Sequence, residues 1–253
     1  MADHPIIDVH GHWGPWFFAM DIGSTDETIR LMDAYDITMQ LVSASEGVVY
    51  DAPGGNAHLA PVLEANPRLR GYLVVNPNDP DSGAADIRRH WPSGLWSGVK
   101  IHTGYPLRPI DSPQMRETFA MLNEFAMTIL IHTWSSDIMV LPPLLEANPR
   151  LKVVAGHMAA DRWDLAAQAA TACDRLYLEP SCSLTDAMRM RHVVDHAPAG
   201  QLLFGSDATL IDPAVAIGLI TDAEPGPELS EQIYWKNAAD LFDLHGALAQ
   251  LHS

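Results

Sequence analysis

The sequence predicts a single-domain α/β protein, with strands and helices alternating in a (β/α)8 barrel of the TIM type. Three observations lead to this prediction. Eight short runs rich in Val, Ile and Leu recur along 253 residues, which is close to the length of one such barrel. Amphipathic stretches such as DETIRLMDAYD (26–36) separate most of the runs, as in a parallel sheet. Neither a linker nor a low-complexity segment interrupts residues 1–253, so we expect one domain.

Each of the eight runs has the length and composition of a buried strand. In chain order they are IIDVH (6–10), TMQLVSA (38–44), RGYLVVN (70–76), SGVKIH (97–102), MTILIH (127–132), LKVVAGH (151–157), DRLYLEPS (174–181) and QLLFGSD (201–207). Helix-like stretches precede the fifth and seventh runs, SPQMRETFAMLNEFA (112–126) and DRWDLAAQAATAC (161–173). The heptapeptide LEANPRL occurs at 63–69 and again at 145–151, and its Asn-Pro pair predicts a helix end followed by a strand.

Composition and charge limit the classes of partner. The net charge is −17, from 15 basic and 32 acidic residues, so the surface repels phosphate backbones and we expect no nucleic-acid partner. The sequence predicts neither a membrane span nor a signal peptide. Its two cysteines, Cys173 and Cys182, suit a reducing cytoplasm, where we expect the protein, and Cys182 is interpreted as a small buried residue. The expected partner is a small-molecule substrate, and a homo-oligomer is left open.

Five histidines stand at the C-terminal ends of the runs. His10 and His12 are one residue apart, so both would face the same side of an extended strand. The other three end the fourth, fifth and sixth runs and are His102, His132 and His157. Asp207 ends the eighth run, and Lys100 lies in the fourth. Because barrel enzymes build their sites at the C-terminal ends of strands, these side chains would converge at one mouth.

These strand-end residues match the ligand preferences of a divalent metal. Imidazole nitrogen and carboxylate oxygen bind zinc, and also manganese or iron. We therefore predict a divalent metal, with zinc as the first choice, and the predicted ligands are His10, His12, His132 and Asp207. Such a set would leave a position for water, whose pKa the metal lowers to roughly 7.

The order of these motifs resembles the amidohydrolase superfamily. H-x-H is followed by G-V-K, I-H-T, G-H and G-S-D, and the likeness is closest to the amidohydrolase-related branch of metal-dependent hydrolases and aromatic acid decarboxylases. The closing IYWKNAADLFDL (233–244) is similar to the C-terminal helix of that branch, although Asp240 stands where a basic residue is frequent. The resemblance spans residues 8–244. It implies a metal-dependent hydrolase that acts on an amide, lactone or related carbonyl bond.

The resemblance also implies roles for individual residues. Asp207 would bind the metal, accept the proton of the attacking water and hand it to the leaving group. His157 would orient or polarise the attacked group, or help to deprotonate water. One ion is favoured, with Lys100 against the substrate. Two ions are the alternative if Lys100 is carboxylated, and His157 would then bind the second ion.

Further substrate contacts are predicted around the mouth. With Lys100, the predicted contacts are His102, Trp13, Trp134 and Arg162. A structural hydrogen bond is the alternative role for His102, and a surface ion pair is the alternative for Arg162.

Two other functions stay open from the sequence. A non-oxidative decarboxylase of an aromatic or unsaturated acid would use the same ligands, with Asp207 protonating carbon. A barrel kept only for binding or assembly is the third function, and the intact ligand set argues against it.

Overall fold

The strands of the barrel are parallel and follow one another in chain order. A computed structural model describes residues 4–19, 22–182 and 188–251. Each strand of its sheet pairs with the next in sequence. The strands are β1 Ile7–Trp13, β2 Met39–Ala44, β3 Leu69–Val74, β4 Trp96–Ile101, β5 Thr128–His132, β6 Lys152–Gly156 and β7 Leu176–Leu178. Each overlaps its predicted run, and the predicted barrel architecture is confirmed.

An irregular segment, residues 202–208, takes the place of the eighth predicted strand. It lies between β7 and β1 and bonds to both. The N–H of Leu203 donates to the carbonyl of Leu178 at 2.9 Å, and the N–H of Val9 donates to the carbonyl of Phe204 at 3.0 Å. The curled sheet is closed through this segment.

Two features prevent a regular ladder in this segment. The carboxylate of Asp8 accepts the N–H of Ser206 at 3.0 Å, and the hydroxyl of Ser206 accepts the N–H of Ala208 at 3.0 Å. These backbone donors therefore bond to side chains instead of a neighbouring strand. In addition, Asp207 has a φ of 64°, which no β-strand accommodates. The segment thus departs from the predicted regular strand, yet it still presents Asp207 at the mouth.

Most of the helices cover the outside of the barrel, and they follow most of the strands. They are α1 Thr25–Ala34, α2 Ser45–Val49, α3 Ala52–Ala65, α4 Pro80–His90, α5 Pro113–Phe125, α6 Leu141–Ala147, α7 Trp163–Ala172, α8 Arg189–His196, α9 Pro213–Asp222, α10 Gly226–Glu231, α11 Asn237–Phe242 and α12 His245–Leu251. A π-helical turn, Gln232–Lys236, joins α10 to α11. Among the helices of the described residues, none has both the length and the apolar character that a bilayer span requires.

Serine caps begin two of the helices foreseen from the sequence. The hydroxyl of Ser24 accepts the N–H of Glu27 at 3.1 Å at the start of α1. The hydroxyl of Ser112 accepts the N–H of Met115 at 3.3 Å, and Pro113 occupies the first position of α5. A side-chain oxygen at the cap satisfies a backbone donor that the helix leaves unpaired, which defines where each helix begins.

Both copies of LEANPRL join a helix to a strand, as predicted. The side-chain amide of Asn66 donates to the carbonyl of Val62 at 2.7 Å, and that of Asn148 donates to the carbonyl of Leu144 at 2.8 Å. Each asparagine thus bonds the carbonyl four residues earlier, at the end of α3 or α6. The following proline cannot continue the helix, and the chain turns into β3 or β6.

Strand side chains alternate between two apolar clusters. On β5, Ile129 and Ile131 pack outward in the cluster that includes the helices, whereas Leu130 packs inside the barrel. The inner cluster also contains Tyr72 of β3 and Val154 of β6. This inner cluster fills the barrel, and Phe242 of α11 and Leu248 of α12 also belong to it.

A β-bulge in β1 turns the two histidines toward the interior. The pairing of β1 with β2 changes register between Asp8 and Gly11. Val9 already belongs to the inner cluster. The extra residue shifts the alternation by one position, so His10 and His12 also face the inside of the barrel.

Candidate metal centre and active site

Three buried side chains meet at the C-terminal mouth of the barrel. His10 and His12 project from β1, and Asp207 projects from the irregular segment. Asp207 Oδ1 lies 3.0 Å from His12 Nε2 and 3.6 Å from His10 Nε2. One ligand atom of each residue lies within 4.8 Å of the other two, so the group could hold a metal ion. The structure therefore brings together three of the four predicted ligands.

His132, the fourth predicted ligand, stands at the end of β5. Its ring centre lies 4.6 Å from that of His157 and 4.3 Å from that of His102. In the part of the chain that the structure describes, no group of three ligand atoms within 4.8 Å includes His132. Burial, reinforced by the neighbouring histidines, lowers the pKa of His132 to about 2, so the ring is neutral. Ligation by His132 stays a prediction.

Each histidine of β1 has a polar partner on its Nδ1. His10 Nδ1 donates to Glu179 Oε1 at 2.8 Å, and His12 Nδ1 lies 3.0 Å from Ser43 Oγ. The bond to Glu179 keeps the proton of His10 on Nδ1 and leaves the lone pair of Nε2 facing the site. Partners of this kind orient imidazole ligands in metal sites.

Burial and hydrogen bonding set the charges of the group. Burial lowers the pKa of both His10 and His12, so their imidazoles are neutral at neutral pH. Burial alone would raise the pKa of Asp207, but the hydrogen bond from His12, together with the neighbouring imidazoles of His10 and His157, outweighs it and holds that pKa below its usual range. Neutral imidazoles and an ionised carboxylate are the forms that bind a divalent cation, so this donor set fits such an ion.

Glu179 is a central residue that the sequence reasoning missed. Its buried carboxylate accepts hydrogen bonds from His10 Nδ1, from the N–H of His157 at 2.8 Å, and from both the hydroxyl and the N–H of Ser181. Glu179 therefore ties the end of β7 to β1 and β6. A signal was present in the sequence, because Glu179 follows the seventh strand at the same strand-end position as the histidines.

Lys100 projects from β4 into the barrel and is buried. Its Nζ donates to His10 Nε2 at 2.8 Å. Burial lowers the pKa of Lys100 to about 8, although the charges of Asp207 and Glu179 oppose this shift. The amine thus borders the candidate ligands directly.

His102 follows β4 beside a cavity of about 230 Å³ that Asn76 and Asn78 also line. Its Nδ1 accepts the N–H of Gly104 at 3.0 Å and that of Tyr105 at 3.3 Å. Burial lowers the pKa of His102 to about 2, so the neutral ring carries its proton on Nε2. His102 therefore offers a hydrogen-bond donor and not a lone pair for a metal.

The chain after β6 is a strained turn, residues 157–160. All four residues have positive φ values between 49° and 69°, a conformation that costs about 1 kcal/mol or more for each non-glycine residue. The hydroxyl of Thr133 donates to the carbonyl of Gly156 at 2.7 Å and accepts the N–H of Ala159 at 3.1 Å. Thr133 thus holds the turn that carries His157.

The imidazole of His157 is oriented from β7. Its Nδ1 donates to the carbonyl of Ser181 at 2.9 Å, so Nε2 carries the lone pair of the neutral ring. Burial lowers the pKa of His157, although the charges of Asp207 and Glu179 oppose this shift. A lone pair can accept a proton or bind a metal, whereas polarising a carbonyl needs a donor. Of the predicted roles for His157, the geometry favours the deprotonation of water.

Trp13, a predicted substrate contact, points away from the candidate ligands, and Trp16 lies beside them instead. Trp13 donates its Nε1–H to Thr25 at 2.9 Å at the start of α1 and packs against the outer cluster. Trp16 lies edge-on to His12, with ring centres 5.0 Å apart. Trp16 is therefore the tryptophan that borders the metal-ligand candidates from the loop after β1.

The remaining two predicted contacts differ in their surroundings. Trp134 follows β5 and lies parallel to the ring of His132, with ring centres 5.8 Å apart. Its partly exposed ring can meet a substrate at the mouth. Arg162 pairs with Asp164 at 2.9 Å at the start of α7, where both side chains are exposed. This geometry corresponds to the surface ion pair that was the alternative for Arg162.

A known protein family matches most of this chain. A family model described as amidohydrolase matches residues 7–244. No curated protein matches the sequence significantly.

The fold is similar to several solved structures. A dihydroxybenzoic acid decarboxylase from Polaromonas sp. JS666, with bound manganese and the inhibitor 2-nitroresorcinol, has a TM-score of 0.76 at 16% identity, covering 95% of this chain and 97% of that chain. A 5-carboxyvanillate decarboxylase from Sphingomonas paucimobilis has a TM-score of 0.72 at 18% identity, covering 94% and 99%. A probable 2-pyrone-4,6-dicarboxylic acid hydrolase from Acinetobacter baumannii, with citric acid bound, has a TM-score of 0.69 at 14% identity, covering 95% and 100%.

Proposed function

The chain belongs to the amidohydrolase family, and from this membership we propose that it is a metal-dependent hydrolase of an amide, lactone or related carbonyl bond in a small organic molecule. The observation that carries the proposal is the buried group of His10, His12 and Asp207, whose ligand atoms lie within 4.8 Å of one another. The C-terminal mouth of the barrel, where this group lies, is the place at which the fold carries catalysis.

A divalent ion would be held by His10, His12 and Asp207, with His132 of β5 as the fourth ligand. Once bound, the ion would polarise the substrate carbonyl and make hydroxide available at neutral pH. Zinc suits imidazoles and a carboxylate, and manganese and iron accept the same donors. One structurally similar protein contains manganese.

Asp207 and His157 would handle the protons of the reaction. The ionised carboxylate of Asp207 can accept a proton from the attacking water and later hand it to the leaving group. His157 provides a second proton acceptor. Its Nδ1–H donates to the carbonyl of Ser181, so the lone pair of the ring is on Nε2. Two proton acceptors beside a metal group suit attack by water, and this supports hydrolysis.

Lys100, His102 and Trp134 would position the substrate. The Lys100 amine attracts an anionic oxygen, and His102 Nε2–H can donate a hydrogen bond to a neutral one. The indole of Trp134 offers a flat apolar surface at the mouth. These contacts favour a small substrate that combines a planar apolar part with several oxygen atoms.

A non-oxidative decarboxylase is the second candidate function, and Lys100 is the observation that favours it. The buried amine, 2.8 Å from His10, would attract a substrate carboxylate. The carbon–carboxylate bond would break to release carbon dioxide. The electron pair left on carbon would take a proton from Asp207, which must first receive that proton from solvent because its carboxylate is ionised.

A single screen separates the two functions. Protein loaded with zinc or manganese is incubated with two sets of compounds, unsaturated lactones and amides in one and ¹³C-carboxyl aromatic acids in the other. Acid release without labelled carbon dioxide, absent in Asp207→Asn, supports the hydrolase. Labelled carbon dioxide supports the decarboxylase, and the absence of both products with either metal argues against both functions.

A further inference from the structure

A second group of ligand atoms lies beside the first, at the ends of β6 and β7. It consists of His157, Cys182 and Asp207, and one atom of each lies within 4.8 Å of the other two. His157 and Asp207 are buried, and Cys182 is half-buried. The three residues follow three different strand positions, so closure of the barrel brings them together and local sequence does not.

This group differs from the first in containing sulfur. Imidazole, thiolate and carboxylate are the donors typical of zinc and similar ions, and thiolate discriminates against magnesium and calcium. His157 uses Nδ1–H for the carbonyl of Ser181, so Nε2 is the nitrogen that an ion would bind. Asp207 has two carboxylate oxygens and belongs to both groups, so it can contribute one oxygen to each.

We propose that His157, Cys182 and Asp207 form a second cation position, selective for zinc-like ions and joined to the first through Asp207. When an ion binds, the thiol proton is released to solvent and the sulfur binds as thiolate. This arrangement differs from the two-ion alternative derived from the sequence. There the bridge is a carboxylated Lys100, whereas here it is Asp207, and Lys100 keeps an unmodified amine.

The second position has a consequence for activity that rests on the proposed function. His157 Nε2 is a proposed proton acceptor, and an ion bound to it takes that role away. Excess zinc should therefore slow the reaction of enzyme that already holds its first ion. Magnesium should not, because it prefers oxygen ligands.

Cobalt titration of the metal-free protein tests the position directly. Cobalt(II) replaces zinc in such sites, and a thiolate bound to it gives a charge-transfer absorption in the near ultraviolet. Cys173, the other cysteine of the chain, provides a matched control. It lies before β7 and packs against the outer cluster, whereas Cys182 follows β7, so the two are at opposite ends of the barrel.

We expect wild type and Cys173→Ser to bind about two equivalents of cobalt and to show the thiolate absorption. Cys182→Ser should bind about one equivalent without that absorption. Binding of only one equivalent by wild type, or a thiolate absorption that persists in Cys182→Ser, would overturn the proposal. If Cys182→Ser fails to fold, the spectrum of Cys173→Ser is sufficient to test the proposal, because any thiolate absorption in that variant must come from Cys182.

The activity measurement separates this proposal from the proposed function. If no substrate is turned over, the cobalt stoichiometry and spectrum still decide the second position. If a substrate is found, excess zinc should inhibit wild type more strongly than Cys182→Ser. Equal inhibition of both would refute the inhibitory role.

Discussion

Glu179 and His10 form a buried carboxylate–imidazole pair, in which Glu179 Oε1 accepts a hydrogen bond from the Nδ1–H of His10 at 2.8 Å. The same oxygen accepts the N–H of His157 at 2.8 Å. One carboxylate therefore fixes the tautomer of a candidate ligand and the position of a candidate proton acceptor. Because an imidazole binds a metal through the nitrogen without the proton, this pair presents Nε2 of His10 to an ion.

We expect Glu179→Gln to weaken zinc binding roughly 10- to 100-fold, the usual effect of losing the partner of a ligating histidine. The amide lacks the negative charge that draws the proton to Nδ1. Calorimetric titration of the metal-free protein measures the affinity, and Glu46→Gln is the control, because Glu46 pairs with His58 on the surface at 2.7 Å. Equal affinities of the two variants would show that Glu179 does not orient His10.

Asp207→Asn should lower turnover by at least roughly a hundred- to ten-thousand-fold, the contribution of general base catalysis. Asparagine keeps an oxygen but cannot accept the proton of water. The rate is measured together with metal content, so that loss of the ion is separated from loss of the base. Asp212→Asn is the control, because Asp212 has a structural role: its carboxylate accepts the N–H of Ala214 at the start of α9. Turnover of Asp207→Asn within a few-fold of wild type would contradict its role.

The purified protein should carry a divalent transition metal, at about one equivalent or more. Removal of the ion with a chelator should abolish turnover, and zinc or manganese should restore it. Elemental analysis of untagged protein measures the content. Less than about half an equivalent, together with activity that chelators do not affect, would exclude a metal-dependent mechanism.

Lys100→Met should stabilise the metal-free protein at neutral pH, by up to roughly 3 kcal/mol. Burial lowers the pKa of Lys100 from 10.5 to about 8, so the unfolded chain holds this proton more tightly than the folded protein. Below pH 8 the Lys100 side chain is charged in both the folded and the unfolded state. The folded state is then destabilised by the full free energy of burying that charge.

Between about pH 8 and pH 10.5 the folded protein loses the proton first, so the stability of wild type should rise relative to Lys100→Met. Urea unfolding of both proteins from neutral pH to about pH 10 measures the difference in free energy of unfolding. A difference that stays constant over this range would show that Lys100 does not titrate as a buried amine.

Thr133→Val should reduce both stability and turnover, because it removes the hydroxyl that holds the strained turn of His157. The free energy of unfolding should fall by about 1–3 kcal/mol, since the N–H of Ala159 loses its partner. Thr133→Ser keeps the hydroxyl and should restore most of the rate at saturating substrate. Equal rates for the valine and serine variants would show that the turn does not depend on this bond.

Much of the barrel and part of the site follow from local sequence. Buried parallel strands are continuous apolar runs, and the C-terminal ends of such runs identify one mouth, so His10, His12 and Asp207 could be placed together in advance. The repeated LEANPRL likewise encodes its helix end through one asparagine and one proline. These features depend on residues that are close in the chain.

The rest depends on contacts between distant residues. Glu179 bonds to His10 across 169 positions. Its strand-end position indicates that it lies at the mouth, but no local pattern identifies His10 as its partner. The orientation of Trp13 toward Thr25, and of Trp16 toward His12, depends on how the loop after β1 folds back. The irregular eighth segment arises because Ser206 bonds to the buried Asp8.

The irregular segment leaves the circle of strands with a seam between β1 and residues 202–208. Three backbone hydrogen bonds cross it, from the N–H of Val9 to Phe204, from that of Asp207 to His10 and from that of His12 to Ala208. His10 and His12 stand on one edge of the seam and Asp207 on the other, so an ion bound by all three would fasten the two edges. We expect metal-depleted protein to open first at this seam. Its backbone amides there should exchange faster with solvent, and proteases should cleave it earlier. The supply of metal would then determine the lifetime of the protein.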